Sequence, residues 1–210
     1  MTKTGSSTSA TGLIRLITAQ GLRIFTTSDM ITLTGMTPAA VTVALKRLSI
    51  KSLLVKLKRG VWVNRLGVDL NPKEAVPYLS APWPAYVSLY SALAEQGKVE
   101  EIPHVIYAVS PAIKRHYKTR IADFHFHRLP KELMWGYAIK PSGRGGYPIA
   151  EPEKAFLDLA YLALSPRSAL EFPYKRDGRW DLDRDKLKTY ALRFRSQPLI
   201  DSLKKNRLWR

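Results

Sequence analysis

The chain has 210 residues, enough to bury a real core in one large domain or two small ones. Its 34 Lys and Arg against 17 Asp and Glu give a net charge of +17, a field that favours polyanionic partners. With no cysteine, disulfides and thiolate metal sites are excluded, and no apolar run approaches the roughly 18 residues of a membrane span.

The charge is unevenly placed. Residues 1–70 carry 10 basic and 2 acidic side chains, residues 71–170 carry 12 and 9, and residues 171–210 carry 12 and 6. Both ends are basic and the middle is nearly balanced. No signal peptide is expected, and the composition fits a reducing cytoplasm.

Residues 1–11, rich in Thr and Ser, are expected to be a disordered leader. Leu13, Ile14, Leu16 and Ile17 predict a first helix ended by Gly21. Thr26-Thr27-Ser28-Asp29 offers N-caps for a second helix that reaches Thr34 and stops at Gly35. Thr37-Pro38 opens a third, because threonine caps and proline suits the first helical position. In it Val41, Ala44, Leu45 and Leu48 recur at i, i+3, i+4 and i+7 and form one buried stripe. Leu53, Val55 and Leu57 then alternate with Leu54, Lys56 and Lys58; a Lys58-Arg59-Gly60 turn and Val61-Trp62-Val63 complete a hairpin with a basic tip. This order of elements is that of a winged helix-turn-helix, assigned to residues 12–66.

Pro72, Pro77, Pro82 and Pro84 mark residues 67–84 as a connector. Residues 85–210 are expected to form a second domain, a mixed sheet flanked by helices, so that the chain is α+β overall. Its predicted elements are a helix over 86–96 ended by Gly97 and strands over 104–110, 120–129 and 135–139. A glycine turn follows at 142–146, then a strongly helical stretch over 152–164 with Phe156, Leu159, Ala160 and Ala163 as its inward stripe. A helix over 182–194 is capped by Asp181 or Asp183, and the basic tail from Leu199 ends as a short helix.

With the apolar stripe of the third helix turned inward, its outward arc is Ala39, Val43, Lys46 and Ile50, flanked by Thr42 and Arg47. The N-terminal half of such a helix enters the major groove. The candidates for base edges are therefore Thr37, Pro38, Ala39, Thr42, Val43 and Lys46. Alanine, valine and the threonine methyl suit the thymine methyl, while Lys46 suits guanine or a phosphate. The first turns carry no Asn, Gln or Arg, so phosphate contacts should dominate affinity and make it steeply salt-dependent. Arg47, Lys51, Lys56, Lys58 and Arg59 are the candidates for those contacts. Each feature alone also reads as an ordinary helix start or a solvated hairpin tip; their combination carries the DNA-binding reading.

Three later segments carry a family resemblance. They are Tyr86-Val87-Ser88-Leu89-Tyr90-Ser91-Ala92-Leu93 with Gly97, Ile149-Ala150-Glu151-Pro152-Glu153-Lys154-Ala155-Phe156-Leu157-Asp158-Leu159, and the Leu182, Leu187, Tyr190, Ala191, Phe194 pattern. With the preceding hairpin they resemble the AbiEi antitoxins of type IV toxin–antitoxin systems over about residues 12–200. The resemblance implies an N-terminal winged helix that binds double-stranded DNA at inverted repeats in the promoter of its own operon and represses it. It also implies a C-terminal domain that counteracts a nucleotidyltransferase-like toxin without a stable complex. The chain is expected to act as a monomer or a dimer assembled on DNA, in the cytoplasm and without a membrane. The alternatives are a solitary winged-helix transcription factor and a DNA-targeted nuclease.

The sequence carries little that points to enzyme chemistry. His125 and His127 lie at period two with Asp123 beside them, but an H-x-H without a distant third ligand reads better as a polar strand face. Asp181, Asp183 and Asp185 begin like a calcium loop, yet Lys186 stands where the turn glycine belongs and Leu192 where the bidentate glutamate belongs. Glu151-Pro152-Glu153-Lys154 has the wrong spacing for a nuclease pair, and 143–146 lacks the Lys-Ser/Thr of a phosphate loop. Neither a metal, another cofactor nor a catalytic residue is expected.

Overall fold

In the computed structural model, which describes residues 10–66, 69–166, 168–173 and 180–209, the chain divides into two units, Met1–Asn71 and Pro72–Arg210. It mixes helix and sheet: the described residues hold eight α-helices, one three-stranded antiparallel sheet and one six-stranded mixed sheet. No described helix is long and apolar enough to cross a membrane.

The first unit runs α1 (Ala10–Ala19), β1 (Ile24–Thr26), α2 (Thr27–Thr34), α3 (Pro38–Ile50), β2 (Leu54–Lys58) and β3 (Val61–Asn64). Residues 1–9 of the expected leader lie outside the described residues, and α1 begins at Ala10, inside the rest of it. α2 starts in a full capping box: the Thr26 side chain accepts from the Asp29 amide at 3.1 Å, and Asp29 accepts from the Thr26 amide at 2.7 Å. It ends at Gly35, whose φ of 64° places it in the left-handed region, where only glycine sits without strain. Two residues later Thr37 caps α3 and Pro38 occupies its first turn. The turn between α2 and α3 is thereby fixed at both ends by local chemistry.

β1 is an element that the sequence pattern does not announce, since three residues give no periodicity to read. It pairs with β3, and the sheet order is β1-β3-β2. The strict alternation expected of β2 fails as well. Leu54 and Val55 are both buried although they are adjacent, and the register with β3 shifts between Lys56 and Lys58. Leu13, Ile17, Phe25, Met30, Val41, Leu45, Leu48, Leu54 and Trp62 make the core of this unit.

The second unit begins with a 3-10 turn at Pro72–Ala75 and α4 (Val76–Ser80). The connector expected here from the prolines is therefore largely structured. Pro72 and Pro77 occupy helix starts, where proline is tolerated, and Ala75, Val76 and Leu79 are buried. Next come β4 (Tyr86–Val87), α5 (Leu89–Glu95), β5 (Val105–Ser110), β6 (Arg115–Lys118), β7 (Asp123–Arg128), β8 (Tyr137–Ser142), β9 (Gly145–Ala150), α6 (Pro152–Ala163), α7 (Arg184–Arg193) and α8 (Gln197–Lys205). The sheet order is β6-β7-β5-β4-β9-β8, parallel between β5 and β7 and between β4 and β9, antiparallel elsewhere.

Two expectations change here. The helix predicted over 86–96 starts as strand, because Tyr86 and Val87 pair with Val109 and Ala108 inside the sheet. The chain turns from β4 into α5 at Leu89, whose φ is 54°. β6 and β9 are additional strands: β6 is an exposed edge strand with little apolar pattern, and Gly145, Gly146 and Pro148 disguise β9. Alternation sends Tyr86 and Val109 to one face of the sheet and Ser110 to the other, where its hydroxyl meets Ser80 of α4 at 2.7 Å.

Leu45 is fully buried at the centre of the α1–α3 packing. Leu45→Ala is expected to cost about 2–5 kcal/mol. Native-state hydrogen exchange at the amides of α3 checks this, and a loss below about 1 kcal/mol would contradict the assignment of this core.

Candidate nucleic-acid interface

The exposed side of α3 is apolar at its start and basic toward its end. Thr37, Pro38 and Ala39 face solvent in the first turn, and Val43, 47% exposed, follows one turn on. Lys46 and Arg47 are exposed, and Ile50 at the end is 83% exposed. Thr42 differs from expectation. It is half-buried, and its hydroxyl donates to the Pro38 carbonyl at 2.7 Å, so its proton is used within the helix. Thr37 also uses its oxygen internally, accepting from the Ala40 amide at 3.3 Å.

The basic residues that suit phosphates spread over neighbouring elements. Lys51 is exposed just after α3. Lys56 is exposed on β2, with its ammonium 5.9 Å from the Trp62 ring centre. At the hairpin tip Arg59 is exposed and Lys58 is half-buried. The tip is anchored: Thr27 donates its amide to the Gly60 carbonyl at 2.9 Å, and the Trp62 indole donates to the Thr27 hydroxyl at 2.9 Å. Of the two carboxylates in residues 1–70, Asp29 is committed to the α2 cap. The exposed basic side chains therefore meet little internal opposition.

In the second unit the segment 151–158 builds a buried polar network. Lys154 and Asp158 are both fully buried and form an ion pair one helical turn apart. Lys154 also donates to the Tyr86 hydroxyl at 2.8 Å, and Tyr86 and Ser88 donate to Asp158 at 3.0 and 2.8 Å. The ammonium lies 4.9–5.4 Å from the ring centres of Phe194, Trp135 and Tyr86. Burial pushes the lysine down and the aspartic acid up, and their mutual attraction opposes both shifts. Burial first, then the charge of Asp158, pushes the Tyr86 phenol far up. With every member paired and sealed from solvent, the arrangement ties strand to helix and offers no access to a substrate. Nothing local marks Tyr86 and Ser88 as members of it; the readable signal is the Lys154–Asp158 spacing of four.

The preceding glutamates are structural as well. Glu153 accepts from the Asp183 amide at 3.0 Å and Glu151 from the Tyr190 hydroxyl at 2.5 Å, so both hold α7. Asp183 caps α7, and Asp181 pairs with Lys98 at 2.6 Å. His125 and His127 project to the same face of β7 as expected, but His125 stacks on His116 at 4.0 Å and on the edge of Tyr107. Among the described residues no three His, Cys, Asp or Glu side chains converge as a metal site. Compared with protein-family models and with curated proteins, the chain matches none.

The buried groups set two expectations for stability. Removing one partner of the pair, as Lys154→Met or Asp158→Asn, is expected to cost about 3–5 kcal/mol in denaturant unfolding. The double variant Lys154→Met/Asp158→Asn should cost less than the sum of the singles by about 2 kcal/mol or more. Additive costs would show that the two charges do not act as a unit. His127 gives a pH signature. Burial, then the nearby Lys114 charge, holds its imidazole down at about 4, below the ordinary 6.5. Between those values the unfolded chain takes up a proton that the folded protein refuses, so stability falls as pH drops through this window. His127→Phe should flatten that part of the stability curve; an unchanged slope would rule out the assignment.

Proposed function

We propose that residues 10–66 are a winged helix-turn-helix that binds double-stranded DNA, with α3 in the major groove and the β2–β3 hairpin as the wing. The observation that carries this reading is the character of α3 and its surroundings. The first turns expose uncharged Thr37, Pro38, Ala39 and Val43, and exposed Lys46, Arg47, Lys51, Lys56 and Arg59 surround them on a unit with 10 basic and two acidic side chains in residues 1–70. Small apolar side chains fit thymine methyls, and the cations fit phosphates. The order helix, strand, helix, turn, helix, hairpin, with the sheet arranged β1-β3-β2, supports the same reading. Thr42 contributes its methyl, since its proton is held by Pro38.

In this reading the protein represses its own operon by binding repeats in the promoter, and it acts by binding, with no cofactor and no catalysis. The resemblance of residues 86–97, 149–159 and 182–194 to AbiEi antitoxins extends the proposal to neutralisation of a nucleotidyltransferase-like toxin. Growth rescue on co-expression with such a toxin from the adjacent gene tests that extension, and absence of rescue leaves a solitary regulator.

Binding is checked by fluorescence anisotropy with a duplex from upstream of the protein's own coding sequence against a scrambled duplex. Lys58→Ala/Arg59→Ala is expected to weaken binding and to lower the slope of log K against log salt by about 0.9 for each phosphate that is no longer neutralised. Unchanged affinity and slope would remove the wing from the interface. Lys46→Ala should change discrimination between base pairs by roughly 1–3 kcal/mol if it reads guanine, or lower affinity uniformly if it meets a phosphate.

A further inference from the structure

The second unit holds a cavity of about 400 Å³ that the DNA-binding reading does not use. It opens where α4, the start of β6 and the end of β7 come together. Strand register assembles its lining. Arg115 of β6 pairs with Phe126 of β7, so Arg128, two residues on, is a diagonal neighbour of Arg115 on the same face. Arg128 in turn lies beside Ser110 of β5. Tyr117 and Phe126 meet edge to face, with ring centres 5.8 Å apart, and form an apolar wall. Trp83, 51% exposed, lines the cavity from the loop after α4.

Three features of this cavity point to one ligand chemistry. First, no Asp or Glu lines it, and among the described residues neither Arg115 nor Arg128 pairs with a carboxylate. Arg115 donates only a long bond, 3.4 Å, to the Tyr117 hydroxyl. Two exposed guanidinium groups on adjacent strands, unopposed by acid, fit a phosphate through paired N–H donors. Second, a half-exposed indole is an amphipathic plane that a flat ring can stack upon, and cationic side chains beside an aromatic surface favour nucleobases. Third, the Ser80–Ser110 pair is buried, Ser110 to 1% exposure, and its two hydroxyls have two protons. Their mutual bond uses one proton, so one donor remains for an acceptor in the cavity. The volume suits a small molecule, near the lower end of the range for ligand sites, and not a long polymer groove.

We propose that this cavity binds a mononucleotide, with its phosphate held by Arg115 and Arg128 and its base stacked on Trp83. The site belongs to the second unit alone and stands whether or not the first unit binds DNA.

Isothermal titration calorimetry of the full chain with ATP and AMP tests it. Adenosine and inorganic phosphate serve as half-ligands, and a single-stranded decanucleotide serves as the polymer control. The expected result is saturable one-to-one binding of nucleotide, with adenosine and phosphate each at least about tenfold weaker. Arg115→Ala/Arg128→Ala should weaken nucleotide binding by about tenfold or more, and Trp83→Ala by roughly tenfold. These side chains are exposed, so the thermal midpoint should hold, and Arg120→Ala, outside the cavity, should bind as the wild type does. The proposal is overturned if no saturable heat appears at millimolar nucleotide, or if the cavity variants bind normally. It is equally overturned if Arg120→Ala loses as much, which would indicate general electrostatic attraction, or if the decanucleotide binds more tightly than the single nucleotides.

Discussion

The second unit depends on a charge pair placed where charges are costly. Lys154 and Asp158 have no solvent access, and an ion pair in that position stabilises only when its remaining donors and acceptors are satisfied. Here they are. Tyr86 accepts from the lysine and donates to the aspartate, and Ser88 supplies a further donor. This explains an oddity of α5. Ser88 stands at its N-cap, yet its hydroxyl makes no capping bond, because it is turned to Asp158. The same tie holds the chain where it leaves β4, next to Leu89 with its left-handed φ, a conformation that costs roughly 1–2 kcal/mol for a residue with a side chain. Gly136 answers to the pair as well. A Cβ there would stand 3.0 Å from Cγ of Lys154, so the lysine stem runs in tight contact with a position that carries no side chain.

The first unit is held differently. Its geometry rests on local caps. Asp29 and Thr26 close one end of α2, Gly35 closes the other, and Thr37 restarts the chain as α3. Short helices contribute little stability by themselves, so the angle between α2 and α3 is maintained by these caps together with the packing of Met30, Val41 and Leu45. The hairpin is joined to the same place through Thr27, which receives the Trp62 indole and reaches the Gly60 carbonyl. Exposed α3 side chains and the hairpin tip are thus referenced to one short stretch, residues 26–29.

What can be read from the sequence follows this contrast. The caps of α2 and α3, the buried stripe of α3 and the basic hairpin are legible because each is encoded within a few residues. So are α6, with Pro152 at its start, and α7, with Asp183 as its cap. Structure that depends on distant partners is not. Tyr86-Val87 reads as helix by composition and becomes strand because β5 and β9 lie on either side. The prolines at 72 and 77 read as linker and instead begin helical turns over a buried face. The inward stripe expected on α6 widens to nearly the whole helix, Lys154 and Asp158 included, since α5 and α7 cover sides that a surface helix would expose. The cavity beside Trp83 is illegible for the same reason: Arg115 and Arg128 become neighbours only through the β6–β7 register.

The charge excess also divides on physical grounds. A net of +17 suggests one extended basic surface, but individual cations have separate occupations. Lys154 is buried with Asp158, Lys186 pairs with Glu151 and Glu153, Lys73 and Lys140 pair with Glu95, and Arg193 lies 4.1 Å over Trp135. Glu95 illustrates the strength of such pairing. Burial raises its carboxyl, yet hydrogen bonds from Lys140, Lys73 and Tyr147 outweigh that and hold it down at about 2. Cations engaged in this way contribute to the long-range field but are poor contacts for a partner, because recruiting them would leave a carboxylate unpaired. Two groups of exposed cations have no carboxylate partner among the described residues, Arg115 and Arg128 at the Trp83 cavity and Lys46, Arg47, Lys51, Lys56 and Arg59 around α3. Net charge alone cannot separate these groups from the engaged cations, whereas the location of each carboxylate does.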